Sequence, residues 1–147
     1  PPAVVQDVPP AASGPRAEYA HLLTRANRSI HDYRVGATGR TGLGTPITAA
    51  SVDRDAVHIA HVGDSRAWLL RDGSLSRLTE DHSLVAEMIR GGQLTEAEAT
   101  DHPQRSIITR ALGVAAACAV DRKSVAWQEG AARQLASARH RKSAREA

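Results

Sequence analysis

The chain has 147 residues, of which 41% are hydrophobic, 24% charged and 3% aromatic, with no Phe. That length suits one domain, and the composition excludes a collagen-like, disordered or membrane-spanning chain. The formal charge of +3 belongs to a tail. Residues 1–120 hold 12 Arg against 13 Asp or Glu, and residues 121–147 hold 7 basic against 3 acidic residues, so the body has no electrostatic reason to bind nucleic acid.

Residues 1–16 carry five of the seven prolines and read as an extended linker, because Pro fixes φ and removes a donor. No basic stretch followed by an apolar one opens the chain, so a secretory signal is not expected. The only Met is Met88, which fits removal of a methionine before Pro1 or a missing beginning. From residue 17 the pattern turns helical. Tyr19, Leu22, Leu23, Ala26, Ile30 and Tyr33 recur at three- and four-residue steps, which predicts a helix over 16–33 with Gly36 as its stop.

Gly39, Gly42 and Gly44 make the next stretch a loop. It lacks the Gly-Lys-Ser/Thr ending of a phosphate-binding loop. Strand-like runs follow at 47–52, 56–62 and 66–71. Asp72-Gly73 then favours a type I′ turn into a return strand over 74–78, and the spacing implies an antiparallel meander. His58 and His61 fall on opposite faces of their strand and cannot chelate together. Leu84, Val85, Met88 and Ile89 share a helical face that Gly91-Gly92 ends. Thr95 and Glu98 have capping-box spacing, which starts a short helix that stops before His102-Pro103.

Residues 107–112 are apolar and fit a strand or a helical turn. The uncharged stretch over 111–120 is ten residues, too short for the roughly 20 that span a bilayer. It contains Cys118, whose solitude excludes an internal disulfide and a Cys-rich zinc site. A soluble, reducing, cytoplasmic setting is expected. After residue 113 Ala, Arg, Ser and Gln dominate and no alternating strand pattern returns. Propensity allows a helix over 131–144, with an apolar face of little more than Ala.

The densest polar cluster is Gly63-Asp64-Ser65-Arg66, at a break between two strands. A carboxylate there suits a hard cation, and it equally suits a turn cap. Ser65 as a nucleophile would need a partnered His and acid, and no motif places His82 or His102 in that role.

Four words resemble one family in their order and gaps. They are Ala60-His61-Val62-Gly63-Asp64-Ser65-Arg66-Ala67-Trp68, Leu78-Thr79-Glu80-Asp81-His82-Ser83-Leu84, Gly91-Gly92-Gln93-Leu94-Thr95, and His102-Pro103-Gln104-Arg105-Ser106-Ile107-Ile108-Thr109-Arg110-Ala111-Leu112-Gly113. Upstream, Leu23-Thr24-Arg25-Ala26-Asn27-Arg28-Ser29-Ile30 and Gly42-Leu43-Gly44-Thr45 fit the same pattern. Together they resemble the middle of a bacterial metal-dependent protein serine/threonine phosphatase of the PP2C type, over residues 17–113.

The resemblance implies an α+β fold, part of an antiparallel β-sandwich flanked by helices, with a flap over about 81–102. It implies Mn²⁺ or Mg²⁺ as cofactor, phosphorylated proteins as partners, and hydrolysis of phosphoserine or phosphothreonine by a metal-activated water. It also places Asp64 and Ser106 at the positions that help bind an accessory third metal. The family's main ligand words, Asp-Gly-Met-Gly-Gly, Ser-Asp-Gly and a late Asp-Asn pair, do not occur in this sequence. No catalytic residue is therefore expected, metal binding should be weak, and residues 114–147 read as a diverged or frame-changed basic tail. The alternative expectation is a non-catalytic module that binds phosphoproteins or a regulatory partner and gains affinity from the tail.

Overall fold

The computed structural model describes residues 15–36, 42–54 and 56–126, with side chains of the first helix described from residue 21. Most of the 1–16 linker, the Gly39 end of the loop and the 131–144 helix expected from the sequence lie outside the described residues. Helix α1 (Pro15–Gly36) starts inside the proline-rich stretch, which moves the expected boundary at residue 16. Pro suits a first helical position, because its missing N–H would have had no intrahelical partner.

The buried face of α1 is narrower than the periodicity suggests. Leu23 and Asn27 are buried, Ala26 and Ile30 pack beside them, and Leu22 and Tyr33 remain more than half exposed. Asn27 ties the helix to a distant turn: Oδ1 accepts the Gly113 N–H at 2.8 Å, and Nδ2 donates to the carbonyls of Ala115 and Ala116 at 3.1 and 3.2 Å. Gly113 has φ +83, and a Cβ there would stand 2.2 Å from Ile30 Cγ2. Only glycine fits both demands.

Strands β1 (Ile47–Val52) and β2 (Ala56–Val62) pair antiparallel over the expected bounds. The meander ends there. At Gly63 the backbone takes φ +109 and passes so close to Pro46 that a Cβ would lie 2.3 Å from the proline's own. The chain therefore leaves the sheet. Strands β3 (Trp68–Arg71) and β4 (Ser74–Arg77) form a separate two-stranded ribbon, closed by Asp72 (φ 50) and Gly73 (φ 74) as the expected turn requires.

The second edge of β2 is filled by β5 (Asp121–Ala126), giving the sheet order β1-β2-β5. This strand lies where no strand pattern was expected, and the fold continues past residue 113 through Ala126. Its pattern is hidden because Asp121, Arg122, Lys123 and Ser124 are polar and Val125 is its one large apolar residue. Residues 107–112 form neither a strand nor a helix. They run as an extended link with single bridges, Ser83 to Ile108 and Thr45 to Leu112.

The sheet has a core on each side. Val57, Ile59 and Val125 meet Ala67, Leu78 and Leu69 at the base of the ribbon. Ala60 and Val62 meet Leu23 and Leu112 under α1. The result is a mixed helix-and-strand fold with antiparallel sheets, as expected. Helix α2 (Leu84–Arg90) is capped by Ser83, and α3 (Glu96–Thr100) carries the full Thr95–Glu98 capping box. Among the described residues, no helix is long and apolar enough to cross a membrane.

Candidate functional site

The turn at the end of β2, residues 79–83 and the start of β5 converge on one polar cluster. Gly63 and His82 exchange two bonds: the His82 N–H donates to the Gly63 carbonyl at 2.8 Å, and the Gly63 N–H donates to His82 Nδ1 at 2.9 Å. An Nδ1 that accepts leaves the ring proton on Nε2, which faces Asp121 Oδ2 at 2.9 Å. Arg110 reaches the other oxygen of Asp121 at 2.6 Å. Partial burial pushes the Asp121 carboxyl upward, but the bonds from His82 and Arg110 outweigh it, so it sits below its usual range.

His61 packs its ring 4.9 Å from that of His82. Its Nε2 donates to the Glu80 carbonyl at 2.9 Å, and its Nδ1 lies 2.8 Å from the Thr48 hydroxyl. Burial lowers its pKa, the Glu80 carbonyl partly offsets this, and the nearby His82 lowers it further. One residue on from Glu80, Asp81 is buried under two guanidiniums. Arg66 Nε reaches its two oxygens at 3.2 and 3.0 Å, and Arg77 closes the pair from β4. The Asp81 hydrogen bond holds Arg66 above its ordinary value.

Of the expected accessory positions, Asp64 adjoins the cluster through Gly63, and Ser106 lies on the segment whose residues 107 and 109 bond residues 84 and 82. Asp64 follows Gly63, and its exposed carboxylate accepts no hydrogen bond from the described residues. Ser106 is exposed and precedes Ile107, whose carbonyl accepts from Leu84. No direct bond joins the two. His58 and His61 do face opposite ways. His82 and His102 are committed elsewhere, His102 to the N–H of Gln104, so neither partners Ser65.

A Ser–His–Asp arrangement arises instead where the sequence did not suggest it. His58 Nδ1 lies 2.7 Å from Ser124 Oγ, and its Nε2 lies 2.6 Å from Asp53 Oδ2. Ser124 is 0% exposed, so no substrate reaches its hydroxyl and the trio is a structural bond across the β2–β5 pair. Only the pairing register brings those residues together, and the sequence holds no signal for it.

Among the described residues, no three His, Cys, Asp or Glu side chains are grouped to hold an ion. The carboxylates of Asp53, Asp81 and Asp121 already serve histidine or arginine. Asp64 alone is a poor site for a hard divalent cation, which takes six or more oxygen ligands.

The protein phosphatase 2C family model matches residues 17–90, half of the chain. The chain belongs to this family. It is 41% identical over 106 residues to the serine/threonine phosphatase stp of Listeria welshimeri, covering 72% of this chain and 42% of that protein. The fold is similar to the crystal structure of the serine/threonine phosphatase Stp1 from Staphylococcus aureus (TM-score 0.71, 30% identity, 81% of this chain and 48% of that one). It is also similar to the catalytic domain of the phosphatase PstP in complex with two manganese ions (TM-score 0.67, 26% identity, 82% and 49%). The chain thus spans 42% of that Listeria relative and about half of these solved structures.

Proposed function

We propose that this chain is the central portion of a PP2C-type protein serine/threonine phosphatase, and that by itself it turns over phosphoserine and phosphothreonine substrates weakly or not at all. Membership of the family supports the reaction class and, with it, Mn²⁺ or Mg²⁺ as cofactor and phosphorylated proteins as substrates. The observation that carries the weak-activity reading is the allocation of carboxylates. Asp121 is linked to the turn that bears Asp64 through His82, Asp81 precedes that histidine, and both carboxylates are bound by arginine. A cage for two divalent ions needs several free carboxylates, and Asp64 offers one.

In this reading Asp64 and Ser106 supply at most an accessory ligand each, the 81–102 segment is the flap, and the chain acts in a cytoplasmic setting. The test is Mn²⁺ titration by calorimetry beside hydrolysis of an aryl phosphate and a phosphopeptide. The expected outcome is millimolar-range or weaker binding that Asp64→Asn removes, with no turnover above the metal-only control. Tight binding of two ions per chain, or robust hydrolysis, overturns the reading.

A further inference from the structure

His82 is held from two sides by groups with opposite demands on its protons. The Gly63 N–H, at 2.9 Å from Nδ1, can only donate. The Asp121 carboxylate, at 2.9 Å from Nε2, can only accept. The neutral ring with its proton on Nε2 satisfies both, and a second proton on Nδ1 points N–H at N–H. His58 is the contrast. It faces the Ser124 hydroxyl, which donates or accepts, and the Asp53 carboxylate, so it keeps both contacts when charged.

The geometry points to His82 as a proton-sensitive latch on the Gly63 turn: protonation at Nδ1 ejects the turn while the His82–Asp121 link to β5 survives. The reciprocal bond from the His82 N–H to the Gly63 carbonyl is lost with the Gly63 contact.

The groups facing the ring are few. His61 comes from β2, with its centroid at 4.9 Å. Asp121 comes from β5 and is shared with Arg110. On the ring's own segment, Asp81 is paired with Arg66 and Arg77, and Glu80 lies 3.9 Å from Arg90. The Gly63 contact needs an Nδ1 without a proton, so a ring protonated on both nitrogens cannot hold the turn.

The test is amide exchange by NMR on the full chain at about pH 7.5 and about pH 5.5, corrected for intrinsic rates, with ¹⁵N shifts of the imidazoles. Expected are a His82 proton on Nε2 at the higher pH and about a tenfold loss of Gly63 protection at the lower, while amides of the β2–β5 ladder keep theirs. His82→Asn retains an acceptor for Gly63 without titrating, so it abolishes the pH response, and His58→Asn leaves it intact. Should His82→Asn not fold, the wild-type imidazole shifts and Gly63 exchange decide alone. A His82 proton on Nδ1 at the higher pH, unaltered Gly63 protection on acidification, or equal loss at every amide overturns the inference.

Discussion

Strands β1 and β5 flank the same central strand, yet their side chains fare differently. β1 reads Ile-Thr-Ala-Ala-Ser-Val, and its Val52 is 53% exposed. β5 reads Asp-Arg-Lys-Ser-Val-Ala, yet its Ser124 and Val125 are 0% and 1% exposed. The difference lies in what covers each strand. The ribbon base lies over Val125, and His58 reaches Ser124, whereas Val52, in the same row across Val57, lies at the other edge and outside that core cluster. Burial is set by the neighbours a position acquires, and a strand's own hydropathy predicts it only when those neighbours are local.

The comparison breaks most completely if β5 is not delivered to the sheet. Gly113 anchors the approach, so Gly113→Ala is expected to lower stability by about 3 kcal/mol through overlap with Ile30 and a strained positive φ. Urea unfolding reads the loss, and a change below about 0.5 kcal/mol would show that the approach to β5 tolerates repacking.

A matched pair of valines sharpens the contrast. Val125→Ala should cost about 2 kcal/mol, because it empties a site 1% exposed in the ribbon-side core. Val52→Ala, on the open end of β1, should stay within about 0.5 kcal/mol by the same assay.

The two serines opposite His58 give the smallest and most specific effect. The β1 partner, Ser51, has a buried hydroxyl with no hydrogen bond among the described residues, and the β5 partner, Ser124, bonds the imidazole. Ser124→Ala is expected to destabilise by about 1 kcal/mol, and Ser51→Ala to be neutral or slightly stabilising. Thermal melts at neutral pH measure both, and equal losses would erase the distinction between the two edges.

Local chemistry was legible in the sequence. Strands 47–52 and 56–62, the Asp72-Gly73 turn and the Thr95–Glu98 cap are each specified by residues a few positions apart, and they form as read. The family words singled out Asp64 and Ser106 as accessory-metal positions, but the cluster of His61, His82 and Asp121 was not visible. His82 meets Asp121 across 39 residues, and Asn27 meets Gly113 across 86. Such pairings exist only once β5 takes the free edge of β2. A polar six-residue stretch carries no period that would announce this.

The detached ribbon has a practical corollary. Its closing corner, Asp72 and Gly73, stands in solvent, and its Leu75 is 61% exposed, yet the ribbon is held at both ends: Ala67 and Leu78 anchor its base, and Arg71, buried beside the corner, donates to the Ala126 carbonyl at 2.6 Å. Foreign sequence spliced at that corner, such as a fluorophore tag or an epitope, would emerge into solvent one residue away from the bond that ties the ribbon to β5. A fluorophore placed there would therefore report on how firmly β5 is seated.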